Sequence, residues 1–308
     1  MGLLPILFVI KWMFLIMSEH NYSSPKKSSY SQEIFYLADS IAAEFSKLPQ
    51  VVAVVLAGSQ TSLVFDDLSD LDFYVYLQEE ISVDIRESIA KQFSDRSEIN
   101  NQFWEPGDEW IDKNSGRSID IMYRTLFWIE QQMNSVVIKH QASVGYSTCF
   151  WWNILYSKPL YDKNGWFRQL QIDAKQPYPE GLRRAIITKN YPILRNNISS
   201  YIHQIELAIN RNDLVSINHR LSALIASYFD IIFAINYLPH PGEKRLIQFA
   251  QRFCSKLPID MEERINKLIL AISLTKGHDL IDQLNKLIDD LDVFLINEKV
   301  IKESKEVI

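Results

Sequence analysis

Two aspartates separated by a single leucine, Asp70 and Asp72, stand at the start of an apolar run in the segment VVAVVLAGSQTSLVFDDLSDLDFYVY, residues 51–76. On an extended chain, residues two apart project to the same face. Two carboxylates so placed repel each other unless a cation lies between them. Mg2+ takes oxygen ligands and commonly shares one or two carboxylates with substrate phosphates. Asp120, flanked by isoleucines in SIDIMY, offers a third carboxylate on a further strand. Upstream, the run VVAVVLA ends in Gly58-Ser59. Glycine lets the backbone approach an oxygen closely, and free N–H groups at the start of a helix attract anions. Three carboxylates and a phosphate cradle describe a phosphoryl-transfer site with two metal ions, one activating the attacking oxygen and one clamping the triphosphate and its leaving group. The expected cofactor is Mg2+, two ions, with Mn2+ able to substitute. The ordinary readings are a polar strand start for Asp70 and Asp72 and an outer-strand carboxylate for Asp120.

These residues need elements to hold them. Helical spacing of apolar residues over 31–48 predicts a helix, ended by Pro49. The β-branched run 51–57 predicts a buried strand, and 71–77 a second, with Phe73, Val75 and Leu77 on one face and Asp72, Tyr74 and Tyr76 on the other. A helix is expected over 83–93, a hairpin or loop around Pro106-Gly107, a third strand over 118–123 and a helix over 126–140. An aromatic-rich helix and a short strand at 159–161 come next. From residue 179 onward the reading is helical, with segments at 180–211, 213–237, 243–256, 260–274 and 278–298. The fold class expected is α+β: an N-terminal mixed sheet with helices, followed by an all-α bundle. The segments are 1–30, an apolar leader and polar lead-in, then 31–142 and 143–308, with the boundary near 141–147.

Composition sets limits. The chain has 308 residues, 47% hydrophobic and 23% charged, which allows two modest domains with real cores. A net charge of -6 provides no overall basic field, so no long nucleic acid is expected as a partner. The two cysteines, Cys149 and Cys254, form no CxxC, which argues against a disulfide framework or zinc cluster and fits a cytoplasmic location. Residues 2–17 are apolar apart from Lys11, short for a membrane span of about 20 residues. They read as an upstream start called in error with Met17 as the true first residue, as an anchor, or as a secretory signal. No membrane partner is expected unless 1–17 is a real anchor.

The pattern Gly58-Ser59, ten intervening residues, Asp70-Leu71-Asp72-Phe73 and a later Asp120 resembles the signature of the DNA polymerase β-like nucleotidyltransferase superfamily. DIIFAINYLPHPGEKRL, residues 230–246, with WEPGDEWID, GYSTCFWWN and AIITKNYPILR, resembles bacterial nucleotidyltransferases with a DUF4037-type helical C-terminal domain. The likeness spans about 31–253. It implies that Asp70 and Asp72 bind both metals, that Asp120 binds the catalytic metal and helps deprotonate the acceptor, and that Gly58-Ser59 hold the triphosphate. It further implies transfer of an NMP, with AMP expected, from an NTP to a hydroxyl of a small molecule or protein, releasing pyrophosphate. The chain departs from the pattern in one respect: the segment QTSLVFDDL, 60–68, has no base after the Gly-Ser pair. Lys244, expected in the first turn of a helix starting near Glu243, is the candidate to supply charge to the phosphates. A lysine there opposes the helix dipole unless an anion compensates.

Other residues in these motifs have weaker claims. Glu243 and Arg245 read as capping and surface residues, and Asn236 and His240 as solvated loop residues. The functional claim of Lys189-Asn190 rests on the resemblance alone. Phe150, Trp151, Trp152 and Trp166 read as core aromatics more readily than as a stacking platform. Two alternatives compete: a non-catalytic nucleotide-binding or antitoxin-like protein of the same fold, and an RNA-end nucleotidyltransferase, which the net charge disfavours.

Overall fold

The computed structural model describes residues 29–58, 70–103, 105–274 and 277–307. The leader 1–17 and Ser59 lie outside the described residues. No helix among the described residues is long and apolar enough to cross a membrane.

The chain is mixed α/β. Helix α1 (Ser29–Ser46) leads into β1 (Val51–Ala57) and then β2 (Leu71–Leu77), α2 (Val83–Phe93), β3 (Ser94–Asn101), β4 (Gly107–Asp112) and β5 (Ser118–Thr125). After β5 come α3 (Leu126–Met133), a π-turn (Asn134–Ile138), α4 (Cys149–Tyr156), β6 (Lys158–Asp162) and α5 (Trp166–Ala174). The remaining helices are α6 (Glu180–Arg195), α7 (Tyr201–Asn210), α8 (Leu214–Ile235), α9 (Leu246–Phe253), α10 (Met261–Leu274) and α11 (Gly277–Asn297).

The six strands form one sheet in the order β3-β4-β5-β2-β1-β6. Every pair is antiparallel except β2 and β5, which run parallel in register from Leu71 opposite Ile119 to Leu77 opposite Thr125. Both sheet faces are covered. Leu71, Phe73, Val75, Ile119 and Ile121 pack against α1 through Ile34, Ala38, Ile41 and Phe45. Ala53, Val55, Ala57, Tyr74 and Tyr76 form a second cluster with Ile129, Trp151, Ile154, Phe167, Leu182, Ile186 and Ala234. All seven residues of β1 are buried, which accounts for its unbroken apolar sequence.

The structure corrects two expectations and adds one strand. The helix expected over 180–211 is two helices. Pro192 is accommodated within α6, and the break falls at 196–200, where Ser200 caps α7 by accepting the His203 N–H at 3.4 Å. The polar segment Ser94–Asn101 is a strand, for which the sequence carries no periodic signal. Lys244 does not lie in a helix, because α9 starts at Leu246 and Arg245 before it takes a left-handed φ of 56°. Strand β6 lies well beyond residue 142 and still pairs with β1, so both halves of the chain build the sheet.

A buried ionic cluster secures the far end of the bundle. Asp292, 5% exposed, accepts hydrogen bonds from Tyr191 Oη at 2.8 Å and Arg195 Nη2 at 2.6 Å, and pairs with Lys305 Nζ at 2.7 Å. Removing Asp292 takes the acceptor from the Tyr191 hydroxyl and one partner from Arg195, which keeps Asp289 at 2.7 Å. Asp292→Ala is expected to cost about 2–3 kcal/mol, read from the urea midpoint at unchanged slope.

Candidate active site

The parallel pairing of β2 and β5 fixes the centre of the site. Asp72 lies directly opposite Asp120 in register. Neighbouring strands are about 4.8 Å apart, so the two backbones are one strand spacing from each other. Phe73 and Ile121, the next pair, turn into the α1 layer. Asp72 and Asp120 therefore face the other side, where the helices that follow β5 pack. A one-residue slip would send one carboxylate to the wrong face. Asp70 is the residue immediately before β2 and is half-buried.

The acidic groups act on one another electrostatically. Burial pushes the Asp72 carboxyl up to about 6; Lys244 pulls it down and Asp70 adds to the rise. Burial also lifts Asp120 to about 6, with further rises from Asp72, Asp70 and Glu109 and a lowering by Lys244. Lys244 is exposed, in the turn between α8 and α9, and its ammonium acts on both carboxyls. Register thus places Asp72 beside Asp120, and Asp70 and Lys244 act on both carboxyls electrostatically.

Gly58 completes the group. It follows β1, has a φ of 68°, and Ala57 before it is the antiparallel partner of Asp72. A Cβ at position 58 would stand 1.9 Å from Asp72 Oδ2. Glycine is needed there both for its backbone angle and for the space it leaves beside the carboxylate.

One feature was not anticipated from sequence. On β4, Glu109 is the direct partner of Asp120, and on β3 Glu98 is the direct partner of Glu109. Glu98, Glu109, Asp120 and Asp72 therefore form a transverse row on one face of four strands. Like charges directly opposite each other destabilise a sheet. Asn101 Nδ2 donates to Glu109 Oε1 at 2.9 Å and offsets a part of this. The row was legible only to someone who knew the register.

Several other candidates have structural roles. Asn190 is fully buried: its Oδ1 accepts the Gly145 N–H at 2.9 Å, and its Nδ2 donates to Ser143 O and Ile186 O at 3.0 Å each. Asn236 ends α8 and holds residue 256 through Nδ2 to Lys256 O at 2.8 Å and Oδ1 from Lys256 N at 3.0 Å. Trp151 and Trp152 are core residues, and Trp151 Nε1 donates to Ala174 O at 2.8 Å. Trp166 packs against Tyr76, and Phe150 against Trp128, with centroids 5.3 and 5.0 Å apart.

Whether these residues suit a metal follows from their chemistry. Among the described residues, no three His, Cys, Asp or Glu side chains converge closely enough to hold a metal ion unaided. Magnesium rarely needs such a cage; it is held by one or two carboxylates together with waters and substrate phosphates. Asp72 and Asp120 are hard oxygen donors in adjacent register, each disfavoured as an anion by burial and by the other acids. A divalent cation relieves that penalty, and the donor set fits one.

No protein-family model matches the chain, and no curated protein matches it. Among solved structures it is similar to a nucleotidyltransferase-like protein from Exiguobacterium sibiricum, at 9% identity over 87% of this chain and 78% of that one, with a TM-score of 0.39. It is also similar to the Thermotoga maritima CCA-adding enzyme complexed with tRNA, at 12% identity over 87% and 83% of the two chains, with a TM-score of 0.33. A third is the spectinomycin adenyltransferase of Enterococcus faecialis with ATP and spectinomycin, at 12% identity over 82% and 98%, with a TM-score of 0.26. At these scores the similarity is one of outline, and the chemistry of the site has to be read from its own residues.

Proposed function

We propose that the protein is a magnesium-dependent nucleotidyltransferase that moves an NMP, with AMP expected, from an NTP to a hydroxyl of a small molecule or protein. The observation that carries this reading is the in-register pair Asp72 and Asp120, with Asp70 and Lys244 acting on the same space and Gly58 against the Asp72 carboxylate. Asp70, Asp72 and Asp120 would hold magnesium, which when bound supplies positive charge to the triphosphate and to the attacking oxygen. Gly58, at the end of β1 beside the Asp72 carboxylate, would help hold the triphosphate. Ser59 shares that role in the proposal. Lys244 brings a point charge to the triphosphate from the bundle side. The acceptor oxygen bonds to the α-phosphorus as the bond to the β-phosphate breaks; pyrophosphate leaves, and the hydroxyl proton passes to the Asp120 carboxylate. Little covalent chemistry is asked of the protein beyond positioning and charge.

The direct test is incubation of the purified protein with Mg2+ and each labelled NTP against metabolite and protein pools. Transfer of label with equimolar pyrophosphate supports the reading. A second reading, a non-catalytic nucleotide-binding protein of the same fold, draws on the lack of three convergent metal ligands among the described residues. It predicts NTP binding without pyrophosphate release in any pool.

Lys244→Ala is expected to raise the NTP KM by about tenfold and to lower kcat, because a charged contact to phosphate is worth about 1.5–3 kcal/mol. Its melting temperature should be nearly unchanged, since the residue is exposed.

A further inference from the structure

Lys244 is a flexible side chain on a turn whose backbone is costly to hold. Tyr237, Gly242 and Arg245 all have left-handed φ values, 55°, 112° and 56°. For the two residues with side chains this conformation costs about 1 kcal/mol or more each, and it persists only where the surroundings over-determine it. A residue that joins this turn to its surroundings is His240, which is fully buried. Its backbone N–H donates to Thr148 Oγ1 at 2.7 Å, and its ring Nδ1 accepts the Gly242 N–H at 3.1 Å. Cys149 Sγ lies 3.5 Å from the same nitrogen.

The partner loop is itself fixed. Ser147 donates its N–H to Asp230 Oδ1 at 3.1 Å and its hydroxyl to Asp230 Oδ2 at 2.6 Å. Asn190 donates to the same carboxylate at 3.3 Å and accepts from Gly145. A line of contacts thus runs from α6 and α8 through Ser147 and Thr148 to His240 and Gly242, two residues from Lys244.

The tautomer adds weight. Gly242 N–H is a donor, so Nδ1 must be the acceptor and the ring proton sits on Nε2. That Nε2 is buried and has no partner among the described residues. An unsatisfied buried donor costs about 1–3 kcal/mol. An apolar side chain of similar size would pack between Phe233 and Tyr146, whose rings lie 5.1 Å from the imidazole, without that cost. What it would lack is the acceptor for Gly242.

We propose that His240 is a positioning residue for Lys244, clasping the 237–245 turn to the 143–148 loop through Thr148 and Gly242 so that the lysine is presented to the carboxylate face. The proposal rests on the phosphate role of Lys244.

Two variants of His240 separate the clasp from packing. His240→Leu keeps apolar bulk and removes the acceptor. His240→Asn places Oδ1 near the position of Nδ1 and keeps it. Thr148→Val removes the other anchor with little change in volume. Expected for His240→Leu and Thr148→Val is a rise in NTP KM of about five- to tenfold, with a smaller change in kcat. His240→Asn should recover most of the KM. In a Lys244→Ala background the His240→Leu effect should largely vanish. Equal impairment in His240→Leu and His240→Asn, or a His240→Leu effect that persists undiminished without Lys244, would overturn the proposal. Amide hydrogen exchange at Gly242 gives a readout that needs no substrate. Faster exchange in His240→Leu by tenfold or so supports the clasp, and unchanged protection overturns it. If Lys244→Ala leaves KM unaltered, the phosphate role has failed instead, and the Gly242 exchange tells the two failures apart.

Discussion

Asp72→Asn is expected to lower nucleotidyl transfer by about 10³-fold or more and, in metal-free protein at pH 7, to raise the melting temperature. The two effects have one cause. The Asp72 carboxyl is lifted from 3.8 to about 6, chiefly by burial, with Asp70 adding to the rise against the pull of Lys244. A shift of this size is worth up to about 3 kcal/mol, less whatever water at the rim screens. For an acid whose folded pKa is raised, the folded state holds the proton more tightly than the unfolded one. The penalty is therefore absent below pH 4, grows as pH rises from about 4 to 6, and is present in full above that. Asparagine has no charge to penalise, so metal-free Asp72→Asn should lose less stability than wild type across that window. Added Mg2+ should stabilise wild type at pH 7 and the variant much less. Calorimetry at four pH values with and without Mg2+, beside a transfer assay, reads both effects. Undiminished transfer in Asp72→Asn, or equally in Asp70→Asn, would sink the two-metal reading.

Gly58→Ala should cost activity far out of proportion to one methyl group. Its Cβ would fall 1.9 Å from Asp72 Oδ2 and 2.9 Å from Cγ. The Asp72 backbone is held on both sides, by Ala57 and by Asp120, so the side chain has to rotate away. A displacement of about 1 Å in a catalytic constellation costs on the order of 10²-fold. Stability should fall by about 1–2 kcal/mol from the left-handed φ and the crowding. Gly116 supplies the control, with a φ of 70° and no atom within 4 Å of the added Cβ. Gly116→Ala should lose about 1 kcal/mol and keep full activity, so the difference between the variants isolates the contact with Asp72. Equal activity in the two would show that Gly58 has no part in the site.

Much of the scaffold was legible because its signals are local. The apolar run of β1, the alternation of β2 around Asp72 and the spacing of α2 each announce an element without reference to the rest of the chain. Tertiary pairing is another matter. Strand β3, SDRSEINN, is almost wholly polar because it is outermost in the sheet and turns much of its surface to water, and so it lacks the pattern that marks a strand. The carboxylate row was hidden for the same reason: Glu98 and Glu109 line up with Asp120 only through the registers of β3, β4 and β5. The position of Lys244 failed differently. Proline and glycine at 241–242 suggested an immediate helix start, but the left-handed Arg245 delays it to Leu246. His240 looked like a solvated loop residue because its burial depends on a loop some 90 residues earlier.

The late arrival of β6 has a consequence for how the chain must be handled. Val51–Ala57 is flanked by β2 on one side and by Lys158–Asp162 on the other. A fragment ending at 142 would keep the carboxylates and lose that second neighbour. It would then display seven consecutive apolar residues with open hydrogen-bonding groups along one side. Such a segment, rich in β-branched residues and free of charge and proline, is a template for association with other chains. The helical half therefore acts as an internal guard against aggregation, and a newly made chain would remain exposed to self-association until the residues beyond 158 have been added.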